Sequence, residues 1–322
     1  MRTRELASGL ALTEIGLGVA QFGNLFQVTT DEESTAAVDA AWEVGIRYFD
    51  TAPHYGLGLS ELRLGRALVG RPRAEYLVST KVGRALVPTP ENVGEMDEHG
   101  FQVPATHRRA WDFSRDGILR SLEQSLERLG LDRVDIVYLH DPDDHWEQAS
   151  TESIGALIEL RDQGVISAIG AGMNQTAMLT EFVRRCDIDI VMLAGRYTLL
   201  DRSAAAAADL LPLAQERGVG VVAAAVYNSG LLSRAEVPDD TNFNYLPASA
   251  ELIANARAIA EVCRAHGVTL PDAAVQFALR QPSVVSVVLG TRTAEQARQG
   301  VERYSVDIPE ALWADLDAVG VA

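Results

Sequence analysis

Cysteine is nearly absent from this chain: Cys186 and Cys263 are the only two in 322 residues. A disulfide framework is thereby excluded, and a reducing cytoplasm is the expected compartment. Basic residues are also few. Against 45 Asp and Glu stand 28 Lys and Arg, a formal charge of −17. Such a surface repels phosphate backbones and argues against nucleic acid as a partner. Long apolar runs are missing too. The longest, near Val221–Val226, is far too short to cross a bilayer. No basic segment leading into an apolar stretch opens the chain, so no signal peptide is expected. Several motifs are likewise missing. No G-x-G-x-x-G follows an early strand, which disfavours an open dinucleotide-binding sheet. His54, His107, His140 and His145 lack H-E-x-x-H or C-x-x-C partners, so no metal site is expected. A G-x-S-x-G elbow for a serine hydrolase is not found.

What recurs instead is an alternation of short β-branched runs with longer amphipathic stretches. The predicted strands are Ile15–Val19, Ile46–Asp50, Tyr76–Lys81, Val134–His140, Val165–Gly170, Ile188–Leu193, Val219–Ala225 and Val284–Leu289. Predicted helices between them include Ser34–Val44, Asp116–Arg128, Ile154–Gln163 and Ala204–Arg217. Gly45, Gly130, Gly164 and Gly218 suit left-handed caps at helix ends. Eight strands alternating with helices predict an α/β chain folded as one (β/α)8 TIM barrel over residues 1–322. The first dozen residues are expected to form a hairpin over the barrel floor. Residues 82–113 break the rhythm: they hold prolines, glycines, charges and aromatics without a period. An aperiodic connection of this length is a lid, a binding loop or a solvated insertion.

In such a barrel the site forms at the C-terminal ends of the strands. "GIRYFD" ends in Asp50, "YLVSTK" in Lys81 and "DIVYLH" in His140, so three ionisable residues should converge on one mouth. Tyr55 follows five residues after Asp50 in the loop "TAPHYG" and can turn back over that mouth. These types suit proton transfer coupled to hydride transfer. Free tyrosine titrates near about 10, and a neighbouring ammonium from Lys81 favours the ionised form. Asp50 can hold Lys81 charged and aimed, while His140 can hydrogen-bond the substrate oxygen. Taken singly, each has a plainer reading as an ion pair, a structural histidine or a loop anchor. Their convergence at three strand ends and one adjoining loop favours the catalytic reading.

The block "GIRYFDTAPHYGLGLSELRLGRAL" resembles the signature of the aldo-keto reductases, and similarity to that family covers nearly the whole chain. "FSRDGILRSLEQSLERLGLDRVDIVYLHDPDD", "LAGRYTLLD" and "YNSGLL" resemble more narrowly its aldose 1-dehydrogenase branch, related to L-galactose and pyridoxal 4-dehydrogenases. The resemblance implies that Asp50, Tyr55, Lys81 and His140 form the catalytic tetrad. It implies NAD or NADP as cofactor, with contacts at Gly18, Asn174, Tyr227, Gly230, Leu231, Gly290, Thr291, Arg292 and Gln296. Asn174 matches the family's amide-holding asparagine, but Met173 stands for the preceding serine. Ala194 replaces a common glutamine, and Ala224 a common stacking aromatic, with Tyr227, three residues on, as the candidate substitute. Gly290, Thr291, Gln296 and Gly300 occupy positions where NADP-preferring relatives carry Lys, Ser, Arg and Asn. Tolerance of both nicotinamides with a lean to NAD is therefore expected. Arg292 remains to meet a phosphate or stack on adenine, and the segment Thr293–Gln299 offers a helix N-terminus.

The expected activity is oxidation of an aldose at C1 to its lactone, with L-fucose, L-galactose or D-arabinose as first candidates. His54, Trp111, Asp141 and Asn228 are the expected substrate contacts, and His107, Arg108 and Arg109 add donors along the insertion. Reduction of assorted aldehydes, oxidation of pyridoxal, and a nicotinamide-binding regulatory subunit stay open as alternatives. No membrane partner is expected, and a homo-oligomer is left open.

Overall fold

The computed structural model describes residues 1–205, 209–244 and 246–318. An antiparallel hairpin comes first, β1 (Thr3–Glu5) with β2 (Ala11–Thr13). Then follow β3 (Ile15–Gly18), α1 (Asp31–Glu43), β4 (Tyr48–Asp50), α2 (Leu59–Leu68) and β5 (Leu77–Val82). A second hairpin, β6 (Arg84–Pro88) with β7 (His107–Trp111), interrupts the alternation before α3 (Arg115–Leu129) and β8 (Ile136–His140). The short α4 (Trp146–Gln148) runs through a π turn into α5 (Ile154–Asp162). β9 (Ala168–Met173), α6 (Thr176–Arg185), β10 (Ile190–Ala194), α7 (Leu210–Arg217) and β11 (Gly220–Ala224) continue the pattern. A small pair, β12 (Asn242–Phe243) and β13 (Leu246–Pro247), precedes α8 (Ala250–Ala265) and α9 (Leu270–Phe277). β14 (Val284–Gly290), α10 (Ala294–Tyr304) and α11 (Glu310–Ala318) end the described chain.

Strands β3, β4, β5, β8, β9, β10, β11 and β14 close a parallel barrel, with β14 pairing back onto β3. The predicted (β/α)8 architecture is what the chain adopts. Its strands are apolar on both faces because both are covered. Ile15, Phe49, Val78, Val137, Ile169, Val191, Val221 and Val287 belong to the cluster shared with the helices. Tyr48, Ile136, Tyr138, Ile190, Met192, Val222 and Val288 belong to a second cluster. Leu6 and Leu12 join that second cluster, so the N-terminal hairpin stoppers the floor, each buried leucine contributing about 1.5–3 kcal/mol. A third cluster, with Ile253, Ile259, Phe277, Leu312 and Trp313, packs α8, α9 and α11 together. No helix among the described residues is long and apolar enough to cross a membrane.

The helix-ending glycines Gly45, Gly130, Gly164 and Gly218 all have positive φ. Most strand and helix boundaries shift by up to three residues from the sequence expectation, and the start of α7 shifts by six. β9 begins at Ala168 rather than Val165, because Val165 N–H closes α5 onto Leu160 and Ser167 N–H binds the Asp135 carbonyl. α7 begins at Leu210. Of the helix expected from Ala204, Ala204 lies in a 3-10 turn, and residues 206–208 lie outside the described residues. The insertion differs most. Val82 still belongs to β5, and the segment beyond it is an ordered hairpin rather than an aperiodic loop. Gly83 makes the turn into it with φ +97°, and a Cβ there would lie 2.3 Å from the Phe113 ring. The hairpin was illegible because its strands carry Arg84, His107, Arg108 and Arg109, with no alternation of apolar and polar residues.

Candidate active site

Parallel register lines the strand ends up side by side. Gly290 pairs with Gly18, Gly18 with Asp50, and Asp50 with Ser79. His140 pairs with Gly172, and Ala194 with Ala224. Ionisable residues far apart in sequence thus share one mouth.

Lys81 Nζ donates to Asp50 at 2.8 and 3.0 Å and to the Thr51 carbonyl at 2.9 Å. Both side chains are buried. Lys81 is also the chain's only lysine; its other basic side chains, histidine aside, are arginines. Burial opposes the ammonium, but Asp50 and then Tyr55 outweigh it, so the Lys81 pKa is raised. The Nζ lies 4.8 Å from the centre of the Tyr55 ring. Beneath Asp50, Ser79 donates to Oδ1 at 2.7 Å, with Tyr48 3.0 Å from Ser79 and Tyr138 3.2 Å from Tyr48. Because a carboxylate only accepts, Ser79 spends its proton on Asp50, and the Tyr48 and Tyr138 hydroxyls follow in line.

His140 faces Tyr55 with ring centres 6.0 Å apart, and His54 sits 5.5 Å from His140. Burial first, then the charges of Arg84 and Lys81, push the His140 imidazole well below its ordinary range. Burial, Arg84 and Arg109 push His54 down to about 2. Both rings are therefore neutral. The insertion closes over them. Arg109 pairs with Asp97 and donates to the His54 carbonyl at 2.8 Å. Phe101 packs on His54 and Tyr55 at 5.4 and 6.3 Å between ring centres. Arg84 donates to Asp141 at 2.5 Å and lies over Trp111 at 4.4 Å. Trp111 stacks on Phe113 at 5.8 Å, and His145 flanks both. Arg108 points to solvent. Arg84, Asp97 and Phe101 escaped the sequence reading. For Arg84 a signal existed: it stands three residues past Lys81, still at the strand end.

The expected cofactor residues divide. Asn174 donates to the Ala194 carbonyl at 2.9 Å, which fixes its amide at the end of β9. Asn228, expected as a substrate contact, is buried on the same side, its Nδ2 3.4 Å from the Gly195 carbonyl and its Oδ1 without a partner among the described residues. Ala225, Asn228, Ser229 and Gly230 all have positive φ. Such a strained run after a strand end marks a functional loop. A Cβ at Gly290 would lie 2.8 Å from the Gln21 amide, whose Oε1 is also buried, with no partner among the described residues. Thr291 is buried and bonded to the Leu289 carbonyl, and Leu231 is buried in the outer cluster. Orphaned amide oxygens, a glycine-lined edge and a strained turn at one mouth fit a dinucleotide. Three of the expected residues are engaged by the protein itself. Tyr227 is packed against the outer cluster, with Arg303 donating to its hydroxyl at 2.8 Å, so its ring faces the helical layer. Gln296 folds back to cap α10, accepting from Arg292 N–H at 2.8 Å. The Arg292 guanidinium is buried and bound by the Leu25 and Gln27 carbonyls and the Thr29 hydroxyl. It clips the segment after β3 to the end of β14, and a phosphate would have to displace these neutral acceptors.

The model of the aldo/keto reductase family matches residues 14–320. The chain belongs to that family. It is an NAD(P)-dependent oxidoreductase. The D-threo-aldose 1-dehydrogenase of a Pseudomonas species is 47% identical over 96% of this chain and 94% of its own. The pyridoxal 4-dehydrogenase of Microbacterium luteolum is 37% identical over 98% and 96%. Among solved structures, the holo form of the aldo-keto reductase AKR11C1 from Bacillus halodurans superposes with a TM-score of 0.78. That reductase is 27% identical, covering 100% of this chain and 97% of its own. Within this aldo-keto reductase, then, the barrel mouth with Asp50, Lys81, Tyr55 and His140 is the candidate active site.

Proposed function

We propose that this aldo-keto reductase oxidises the C1 hydroxyl of a small cyclic aldose to the lactone, with NAD or NADP. The observation that carries the reading is the buried Asp50–Lys81 pair set against Tyr55, with His140 opposite. Ionised Tyr55 takes the hydroxyl proton, and the nearby Lys81 ammonium favours that ionised form. Asp50 keeps Lys81 charged and pointed. His140 donates from Nε2 to the reacting oxygen. Its buried Nδ1 meets no acceptor among the described residues, so the tautomer with the proton on Nε2 strands no donor. A bound nicotinamide supplies the hydride acceptor. Asn174 would hold its amide end, the Gly230–Leu231 turn and the Gly18–Gly290 edge its phosphates and ribose, and Thr291 its adenine end.

His54, Trp111, Asp141 and the segment around residues 82–113 line the substrate side. The 47% identical relative is named for aldose oxidation at C1, and a mouth of hydroxyl-binding groups suits such a substrate. The aromatic shelf of Trp111, Phe113 and His145 supports a second reading, oxidation of pyridoxal, after which the 37% identical relative is named. A regulatory subunit without turnover finds no support in a site that retains all four residues. Nicotinamide absorbance, followed with L-fucose, L-galactose, D-arabinose, pyridoxal and apolar aldehydes and with both cofactors, tests the proposal. Turnover should be fastest on an aldose. Activity confined to pyridoxal, or to apolar aldehydes or ketones, would refute it.

A further inference from the structure

Arg84 is the cation at this mouth that the chemistry above does not use. Its side chain is mostly buried, at 18% exposure. One Nη donates to Asp141 at 2.5 Å, and the other lies 3.4 Å from His54 Nδ1. Trp111 backs its flat face, and its Nε is buried without an acceptor among the described residues. A guanidinium carries five donors in a rigid fork, so several remain unspent. Asp141 is held in place as firmly. It has φ +44°, a left-handed conformation costly for a residue with a Cβ, and its N–H binds the Gly172 carbonyl. Strain of that kind persists where the surroundings enforce it, often at functional sites.

The spacing to His140 is the deciding geometry. Asp141 Oδ2 lies 3.8 Å from His140 Nε2. That is beyond hydrogen-bond distance, so the two stand side by side as polar groups not bonded to each other. Oxygens on adjacent carbons of a sugar stand about a hydrogen-bond length apart. An oxygen held by His140 therefore brings the next hydroxyl to Asp141 and Arg84. We propose that Arg84 and Asp141 form a grip for the hydroxyl on the carbon beside the reacting one, making Arg84 a specificity-determining residue. That hydroxyl accepts from the guanidinium and donates to the carboxylate. The inference rests on the aldose reading above and names the feature of the aldose that is recognised.

An electrostatic role on Tyr55 is the competing account, since Arg84 is close enough to feel the Tyr55 charge. The paired carboxylate weakens that role. At a distance the opposite charges of Arg84 and Asp141 offset each other, whereas a hydroxyl touching both gains from each. A grip should therefore act on one substrate hydroxyl and leave the proton chemistry alone.

D-arabinose and its 2-deoxy analogue differ only in that hydroxyl. A site built to bind a hydroxyl rejects the analogue lacking it. One or two charge-assisted hydrogen bonds correspond to about 10- to 100-fold in kcat/KM. Wild-type enzyme should prefer D-arabinose by that factor. Arg84→Met should collapse the ratio to within about threefold by the same reasoning, with the Kd for reduced nicotinamide and the Tyr55 limb of the kcat pH profile unmoved. Arg84→Lys keeps charge and bulk and should lose most of the preference, because a point charge lacks the fork. Asp141→Asn reads the same grip from its other half if the hairpin tolerates Arg84→Met poorly. A preference retained in Arg84→Met overturns the inference. So does an equal loss on both sugars with a displaced pH limb, which would assign Arg84 to Tyr55. Wild-type activity on aldoses without dependence on Arg84 sinks the grip alone, while inactivity on every aldose takes the aldose reading down with it.

Discussion

Replacing Lys81 with methionine removes the only ammonium side chain and leaves its partner behind. Asp50 is 3% exposed. It would keep the Ser79 donor at 2.7 Å and lose both Nζ contacts, at 2.8 and 3.0 Å. Breaking a buried pair in this way costs about 3–5 kcal/mol, because the surviving charge is stranded in a dry interior. Taking out both charges, as Lys81→Met with Asp50→Leu, should recover most of the loss, since an apolar replacement of the whole pair is often neutral. Urea denaturation measures each variant, and the double-mutant cycle should return a coupling of about 2 kcal/mol or more. The pH dependence supplies a second reading. Asp50 and Tyr55, acting against burial, raise the folded-state pKa of Lys81. For a base with a raised folded value, the stabilisation is complete below the unfolded lysine value of about 10.4 and disappears as pH climbs through the folded value. Wild type should thus lose stability in alkali relative to the double variant. If the losses of the two single variants simply add in the double, with coupling under about 0.5 kcal/mol, the pair does not govern this site.

Tyr55→Phe keeps the ring but not the proton acceptor, so turnover should fall by about 10²–10⁴ while nicotinamide still binds; wild-type turnover in the purified variant would end the assignment. His54 and His140 are held neutral by burial and by Arg84. The unfolded chain alone then gains protons below about pH 6.5, and stability should fall as pH drops through that value. Nitrogen NMR of the two imidazoles at pH 6 should show neutral rings, and an imidazolium signal from either would contradict the burial argument. Arg292→Ala removes the clip on Leu25, Gln27 and Thr29. Amide exchange over residues 25–29 should quicken while the barrel strands stay protected, and the KM values for NAD and NADP should change by the same factor. Unchanged exchange would show that the segment holds itself.

The barrel and the meeting of Asp50, Lys81 and His140 were legible in the sequence for one physical reason. A parallel barrel points every strand the same way, so a residue's place at a strand end is also its place in space. Period, cap glycines and strand-end chemistry are local properties, and locality is what a sequence displays. The contacts between irregular segments were decided only by tertiary structure. Arg84 could be seen beside Lys81 in the chain, but not its hold on Asp141, 57 positions on. Arg292 looked like a free cation for a phosphate until the Leu25–Thr29 segment was found wrapped around its guanidinium. Tyr227 looked available to the mouth, yet Arg303 turns it outward. Gln296 serves its own helix as a cap. In each case a long side chain had several partners within reach, and which one it met depended on where distant loops packed.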